Sequence, residues 1–313
     1  MNLEAAIKQA AADMEQYGQQ RCAIEEENFT KVLEAFRKYR VSDIHLKPIS
    51  GYGYDDVGRD TLEEIYAEIF HTEDALMRQQ IVSGTHAIAL ALMSNLLPGD
   101  ELLAVGTPYD TLLKVIGHKK PTPGSLIELG VTYREVDFDF EKMDPQQVVR
   151  AISPQTKIIT IQRSKGYHWR RSLSVAEIGK IIQAIKKSYP QIIVFVDNCY
   201  GEFVEAIEPT DVGADLMAGS LIKNPGAGLT PCGGYIVGRK DLVERAAARL
   251  TAPGIAKEVG PSLSDQRLYY QGLFLAPSIV GEAVRSAIFT ASLLQNLGFA
   301  VLPKPEEPRV DII

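Results

Sequence analysis

The stretch "GSLIKNPGAGLTPCGG", residues 219–234, places a lysine where an apolar run gives way to a glycine-rich loop. The apolar residues are typical of a buried strand, so Lys223 stands just past the end of that strand. A lone lysine at such a point is most often a solvated loop residue. Whether Lys223 has a catalytic or binding role depends on which other residues the fold places at the same edge of the sheet.

Short apolar runs alternate with amphipathic segments along most of the chain. The pattern predicts strands at "ELLAVG", "VTYREVDF", "KIITIQ", "QIIVFVD", the end of "DLMAGSLI" and "GGYIVG". It predicts helices at residues 1–40, "TLEEIYAEIFHTEDALMR" (61–78), "HAIALALMSNLL", "YDTLLKVIG", "DPQQVVRAI", "SVAEIGKIIQAIKKSY" and "KDLVERAAARL". A capping box, Ser174 with Glu177, marks the start of the helix "SVAEIGKIIQAIKKSY". The alternation indicates an α/β fold with a mostly parallel sheet covered by helices on both faces.

The C-terminal part suggests a second unit that is cut short. A long helix is predicted at "SIVGEAVRSAIFTASLLQNLG", followed by a strand at "FAVLP" and a final apolar run. Residues 285–313 are fewer than the roughly 50 that a domain usually needs. We therefore expect an N-terminal helical segment at 1–50, a large domain at 51–284 and the start of a truncated small domain at 285–313.

Composition narrows the class of protein. Of 313 residues, 45% are apolar and 23% are charged, which is typical of a globular chain. The net charge of −7 and the lack of a basic run argue against a nucleic-acid surface. The apolar runs look too short to cross a membrane, and the charged N-terminus does not resemble a signal peptide. The cysteines are widely spaced and form no C-x-x-C, which predicts a cytoplasmic protein with neither a disulfide framework nor a metal site.

Three features should meet at the carboxyl ends of the strands, where open α/β sheets bind ligands. Ser83, Gly84 and Thr85 lead into a buried helix, where free N–H groups can hold a phosphate, although the same residues also serve as an ordinary cap. Asp197 ends a buried strand and needs a partner, either a backbone group or arginine, or a protonated ring nitrogen. Lys223 is the third.

An anion cradle, a buried carboxylate and a lysine are together what pyridoxal phosphate needs. The phosphate would lie at the helix N-terminus, and Lys223 would form a Schiff base with the aldehyde. Asp197 would keep the pyridine nitrogen protonated, so that the ring can accept electrons from a carbanion.

With these residues in place, the sequence resembles the fold-type-I pyridoxal-phosphate enzymes of the cystathionine-lyase-like branch. Within that branch it is most similar to the methionine gamma-lyase-like or aluminium resistance family. The matching stretches are "GYGYDDVGRDTLEEIYAEIF", "EDALMRQQIVSGTHAIALAL", "VDNCYGEFVE" and "GSLIKNPGAGLTPCGGYIVG". The resemblance spans essentially the whole chain and implies a seven-stranded, mostly parallel sheet between helices, with 51–284 as the cofactor-binding large domain.

The resemblance also implies roles for residues around the cofactor. Tyr109 would stack on the ring, unless it only shapes a Pro-Tyr-Asp turn. Ser220 would bind the phosphate, or else be a buried strand serine. Arg163 and Ser164 would lie near the ring oxygen or the substrate, with a surface arginine as the alternative. Cys199, Cys232 and His86 are interpreted as packing residues.

A second group would act between subunits. Tyr54 and Arg59, in the loop "GYGYDDVGRD", match residues that reach the neighbouring subunit's phosphate, and Tyr52 is an equal candidate. Glycines make this loop able to extend. The resemblance therefore predicts a homodimer or a homotetramer, the latter a dimer of dimers.

The function implied is a pyridoxal-phosphate-dependent carbon–sulfur lyase that catalyses beta- or gamma-elimination. Its substrate would be a sulfur amino acid such as cystathionine, cysteine or methionine, with Lys223 moving the alpha proton. The family usually holds the substrate carboxylate with an arginine of the small domain, and we expect most of that domain to lie outside residues 1–313. An aminotransferase, another lyase, or a non-catalytic cofactor-binding protein are the alternatives.

Overall fold

The strands form one mixed sheet. A computed structural model describes residues 2–19, 21–263 and 266–313. Within them the strand order is β1-β7-β6-β5-β4-β2-β3. The strands are β1 Asp74–Arg78, β2 Glu101–Val105, β3 Thr132–Val136, β4 Thr156–Gln162, β5 Ile193–Asp197, β6 Leu216–Ser220 and β7 Gly234–Gly238. Strands β2 to β6 pair in parallel, whereas β7 is antiparallel to both of its neighbours. The predicted mostly parallel, seven-stranded sheet is confirmed.

Helices cover both faces of the sheet. They are α1 Leu3–Gly18, α2 Arg21–Lys38, α3 Val57–Ile69, α4 Gly84–Asn95, α5 Asp110–Ile116, α6 Gln146–Ala151, α7 Val175–Ser188, α8 Lys240–Leu250 and α9 Arg267–Asn296. Short 3-10 turns lie at Asp43–Leu46, Pro209–Val212, Asn224–Gly226 and Ala256–Glu258. The predicted capping box at the start of α7 is present.

Two apolar clusters explain why the strands read as continuous apolar runs. On β5, Val194 and Val196 face a cluster that includes α3, α7 and α9. The alternate residues Ile193 and Phe195 face a second cluster with α4, α5 and α8. Because side chains alternate across a strand, burial on both faces requires apolar residues at every position.

The single helix predicted for residues 61–78 is wrong. Helix α3 ends at Ile69, and His71 adopts a left-handed conformation with φ +48° before β1 begins at Asp74. The run Ala75 to Met77 is buried on alternating faces of the sheet. Three apolar residues after an amphipathic helix fit a helical or a strand period equally well, so the sequence pattern could not separate them.

The C-terminal predictions are also corrected. Helix α9 begins at Arg267, well before the predicted start, and residue 285 lies inside it. The division of the chain at 1–50, 51–284 and 285–313 stays a prediction. "FAVLP" (299–303) is not a strand. Its polar backbone is bonded elsewhere, since Lys165 Nζ donates to the carbonyl of Leu302. A strand needs a neighbouring edge, and the backbone groups of this segment have other partners, since Phe299 N donates to the carbonyl of Leu294.

Helix α9 also bears on the expectation that no run could cross a membrane. Among the described residues it alone is long and apolar enough to span one by length and composition. It packs on α1 and α2, and Leu273, Val280 and Val284 along it are buried in the first cluster. Those contacts are the ones that a core helix makes.

Candidate active site

The start of α4 lies against the end of β6. Ser83 caps the helix, and its Oγ accepts a hydrogen bond from His86 N at 3.1 Å. A Cβ added to Gly84 would lie 2.9 Å from Ser220 Cβ and 3.3 Å from Cys199 Sγ. Only a glycine allows the helix N-terminus to come this near. The positive end of α4 is therefore brought to the edge where β5 and β6 end.

Ser220 offers an unused hydroxyl beside that helix end. The residue is buried, and its Oγ has no hydrogen-bond partner among the residues that the structure describes. Leaving such a group unpaired costs about 1–3 kcal/mol, which an acceptor at this place would recover. A helix N-terminus and a free hydroxyl together fit an anion such as a phosphate. The assignment of Ser83, Gly84, Thr85 and Ser220 to phosphate binding stays a prediction that this geometry supports.

Asp197 lies at the end of β5 and is almost fully buried. Its Oδ1 accepts a hydrogen bond from Cys199 N at 3.1 Å. Burial raises the pKa of the Asp197 carboxyl, and the nearby charge of Lys223 opposes that rise. The backbone partner that the sequence left open as an alternative is thus present for one oxygen.

Tyr109 is fixed between the start of α4 and the end of β4. Its backbone N donates to Gln162 Oε1 at 2.9 Å, and its hydroxyl lies 3.1 Å from Thr85 Oγ1. Burial, followed by the charge of Asp197, raises the pKa of Tyr109. A neutral ring held near Asp197 suits stacking on a cofactor, and this role also stays a prediction.

Lys223 is not a solvated loop lysine. Its Nζ lies 3.8 Å from the centroid of the Tyr200 ring, and the side chain is half-buried. Burial lowers the pKa of Lys223, but the surrounding Cys199, Tyr200 and Asp197, with Glu202, outweigh burial and raise it. The ammonium is therefore held at the same edge of the sheet as Asp197.

The backbone around the lysine is held firmly in place. Asn224 Nδ2 donates to the carbonyl of Glu202 at 2.9 Å, and Thr230 Oγ1 donates to the carbonyl of Leu221. A Cβ on Gly272 of α9 would lie 2.7 Å from the carbonyl oxygen of Gly226. The loop after β6 thus rests directly on α9.

Sequence reasoning missed two residues near Lys223. Glu202 is fully buried, and its Oε1 accepts a hydrogen bond from Tyr235 OH at 2.7 Å. Tyr200 has φ +74°, a conformation that a bulky residue rarely adopts. The sequence signal was the acidic residue in "NCYGEF", the segment that follows the buried strand β5. A carboxylate in such a place is costly to bury without a partner.

Arg163 is buried and forms its hydrogen bonds inside the protein. Its Nη2 donates to Glu205 Oε2 at 2.7 Å, and its Nη1 donates to Asn198 Oδ1 at 2.8 Å and to Glu208 Oε2 at 3.3 Å. The side chain is 0% exposed, so the surface alternative is wrong. Its role beside the cofactor stays a prediction, and these contacts favour a structural one. Ser164 Oγ accepts from Gly166 N at 3.3 Å.

Arg59 is likewise engaged within its own chain. It is buried, and its Nη1 donates to the carbonyl of Gly53 at 2.6 Å while its Nε donates to Asp60 Oδ1 at 2.8 Å. Tyr52 and Tyr54 are instead 78% and 54% exposed. Of the three candidates for a contact with a second subunit, the two tyrosines are the ones presented to solvent.

The residues interpreted as packing make local contacts. Cys199 is buried beside Gly84. Cys232 Sγ donates to the carbonyl of Gln79 at 3.4 Å. His86 Nδ1 accepts from Val82 N at 3.2 Å, and burial lowers the pKa of His86.

Comparisons with known proteins agree with this architecture. The YnbB protein of Bacillus subtilis strain 168 is 49% identical over 314 residues, which cover 99% of this chain and 75% of that protein. The crystal structure of a carbon-sulfur lyase involved in aluminum resistance from Clostridium novyi NT has 44% sequence identity and a TM-score of 0.93, covering 99% of this chain and 75% of that one. The chain thus spans about three quarters of the length of both.

A more distant structure shares the fold. It is the pyridoxal-5'-phosphate-dependent protein YhfS from Escherichia coli, with 18% identity and a TM-score of 0.65 over 89% of this chain and 70% of that one. The family model described as methionine gamma-lyase matches residues 3–313. The chain belongs to the methionine gamma-lyase family, a lyase family of pyridoxal-phosphate fold type I.

Proposed function

We propose that this protein is a pyridoxal-phosphate-dependent carbon–sulfur lyase acting on a sulfur amino acid such as cystathionine, cysteine or methionine. One observation carries the proposal. The start of α4, the unpaired hydroxyl of Ser220, the Asp197 carboxylate and the Lys223 ammonium all lie at one edge of the sheet. The family match supports a lyase rather than an aminotransferase or a non-catalytic protein.

The residues present fit this cofactor. The unpaired Ser220 Oγ and the cradle that a Cβ at Gly84 would fill suit its phosphate. Asp197, held by Cys199 N, would accept a hydrogen bond from the pyridine nitrogen. Tyr109 would cover the ring from the side of α4. Lys223 Nζ would bind the aldehyde carbon.

The chemistry is then divided between cofactor and protein. When bound, pyridoxal phosphate supplies an electron sink for negative charge at the substrate's alpha carbon. Lys223, once its amine is free, would accept the alpha proton. Asp197 would keep the ring nitrogen protonated, because a neighbouring negative charge favours the protonated form of that nitrogen. The carbon–sulfur bond would break at the beta or the gamma carbon, and the sulfur would leave as a thiol, or as hydrogen sulfide from cysteine. Water would then convert the unsaturated amino acid that remains into a keto acid and ammonia.

The proposal is tested by product analysis. Purified protein loaded with pyridoxal phosphate is incubated with cystathionine, cysteine or methionine, and keto acid and thiol are measured. Both products should appear together and should be lost in Lys223→Ala. Keto acid formed only when an acceptor keto acid is present would indicate an aminotransferase, and the absence of products from all three substrates would refute the lyase.

The proposal includes a homodimer, or a dimer of dimers, in the cytoplasm. The exposed Tyr52 and Tyr54 support a contact with a second subunit. The free, exposed thiol of Cys22 fits a reducing compartment. Sedimentation of the purified protein should give at least a dimer, and Tyr54→Ala should weaken it. A monomer at micromolar concentration would refute the assembly.

A further inference from the structure

The ring of Tyr200 contacts the amine of Lys223 and has no role in the chemistry described so far. Lys223 Nζ lies 3.8 Å from the centroid of that ring. This is well inside the distance of about 6 Å at which an aromatic face attracts a cation. Among the residues that the structure describes, Nζ forms no ion pair and donates no hydrogen bond. The ring is therefore the direct partner of the ammonium.

The backbone of Tyr200 is strained. The residue is the third of the turn 198–201, which is closed by a hydrogen bond of 2.9 Å from Gly201 N to the carbonyl of Asn198. Its φ is +74°, and a positive φ at the third position of a turn favours glycine or asparagine. A bulky residue persists in such a conformation where its surroundings enforce it, and residues of this kind cluster at functional sites. The strain therefore indicates that the side chain of Tyr200 has a task.

Contacts from two distant segments hold this turn. Asn198 Oδ1 accepts a hydrogen bond from Arg163 Nη1 at 2.8 Å. A Cβ on Gly201 would lie 2.5 Å from the same Nη1, so the buried arginine packs directly against the turn. From the C-terminal segment, Ile312 N donates to the carbonyl of Tyr200 at 3.1 Å. The loop after β4 and the end of the chain thus fix the backbone that directs the Tyr200 ring.

We propose that Tyr200 is a positioning residue that receives Lys223 as an ammonium. Lys223 becomes a cation when its free amine accepts the alpha proton of the substrate. The proton moves to Nζ, and the electron pair of the carbon–hydrogen bond passes to the cofactor ring. An aromatic face attracts the cation through its negative charge density, and it attracts a neutral amine far less. The ring of Tyr200 therefore stabilises the protonated lysine that this step forms.

The gain is confined to the proton transfer. A contact that is stronger after the transfer than before it speeds that step, whereas a contact that is equal in both states does not. Tyr200 should therefore affect kcat more than the KM for the substrate. A glycine at this position would relieve the backbone strain but would supply no ring. The inference rests on the proposed function, and the experiments below separate the two.

The first test is a double-mutant cycle in cofactor-free protein. Urea unfolding is measured for wild type, Tyr200→Leu, Lys223→Met and the double variant. If the ring holds the ammonium, the two substitutions are not additive, and their coupling should be about fivefold in the equilibrium constant of unfolding, about 1 kcal/mol. Tyr200→Phe is the matched control because it keeps the ring face. Its cycle with Lys223→Met should show a coupling below about twofold.

The outcomes are distinct. Coupling in the Tyr200→Leu cycle without coupling in the Tyr200→Phe cycle supports the proposal. Additive effects in both cycles, within about twofold, overturn it. Equal coupling in both cycles also overturns it, because the hydroxyl rather than the ring would then be the partner. If Tyr200→Leu does not fold, Tyr200→Asn replaces it, since asparagine tolerates a positive φ and has no ring, and additive effects for that variant overturn the proposal as well.

The loaded protein gives a second reading, with whichever of cystathionine, cysteine or methionine the wild type converts. Tyr200→Leu should lower kcat about fivefold while KM changes less than about twofold, and Tyr200→Phe should keep kcat within about twofold of wild type. An unchanged kcat in Tyr200→Leu, with or without a raised KM, would overturn the proposal. If wild type takes up no pyridoxal phosphate, the proposed function fails, while the double-mutant cycle still decides whether Tyr200 holds Lys223.

Discussion

Replacement of Arg163 by methionine tests whether this arginine is structural or binds the cofactor. Its guanidinium is 0% exposed and contacts Glu205, Glu208 and Asn198. Methionine keeps much of the volume but leaves Glu208, which is 1% exposed, without its cation. Breaking a buried pair by removing one partner costs about 3–5 kcal/mol. We expect Arg163→Met to lose that much stability in urea unfolding.

The loss should depend on pH. Burial raises the pKa of Glu208 in the folded protein, and Arg163 opposes the rise. Without the arginine the folded pKa moves further above the unfolded value, so stability is retained at low pH and lost as pH rises. The deficit of Arg163→Met relative to wild type should therefore be larger at pH 8 than at pH 5.

The control is an ion pair at the surface. The Arg150 side chain is 68% exposed and pairs with Asp144 at 3.0 Å, so Arg150→Met should cost less than about 1 kcal/mol. Pyridoxal phosphate affinity, measured by fluorescence on folded protein, should change less than about threefold in Arg163→Met, a difference below about 0.7 kcal/mol. Unchanged stability with a tenfold or greater loss of affinity would refute the structural reading and favour a cofactor contact.

Three further predictions concern the site. Gly84→Ala should weaken pyridoxal phosphate binding about tenfold or more in a fluorescence titration, because its Cβ would lie 2.9 Å from Ser220 Cβ; unchanged affinity would show that the helix start does not hold the phosphate. Asp197→Asn should still bind the cofactor but lose about a hundredfold or more in lyase rate, since the ring nitrogen would no longer be held protonated; near-full activity would refute its role. Burial raises the pKa of Glu202 from 4.5 to about 8, so its contribution to stability is present below 4.5 and is lost as pH rises to about 8. At about 1.4 kcal/mol per pH unit, the free energy of unfolding should fall by about 5 kcal/mol over that pH range. Glu202→Gln should lack this fall in urea unfolding, and parallel pH profiles of the variant and the wild type would contradict the prediction.

The sequence predicted the parts of the site that follow from local pattern. Asp197 and Lys223 each follow an apolar run, and parallel strands bring the ends of such runs to one edge. The residues before α4 were predicted from a different rule, because small residues with free N–H groups at a helix start can hold a phosphate. The rule about strand ends thus reached two of the three segments without any knowledge of contacts.

The remaining features depend on contacts between distant segments. Arg163 also follows an apolar strand, but the carboxylates of Glu205 and Glu208 lie more than 40 residues away in the chain and draw its side chain inward. Glu202 stands in the segment that follows a buried strand, but its own burial arises only when Tyr235 and Gly219 pack against it. The strand at Asp74–Arg78 was missed since its burial needs β7 beside it.

The central claim is that Lys223 binds pyridoxal phosphate covalently at the edge formed by α4, β5 and β6. The direct measurement is to load the purified protein with the cofactor, reduce it with borohydride and locate the fixed cofactor by peptide mass spectrometry. We predict a yellow protein that carries one fixed cofactor per chain, on the peptide containing Lys223, and no fixation in Lys223→Ala. A protein that takes up no cofactor, or fixation at another lysine in the wild type, would contradict the account.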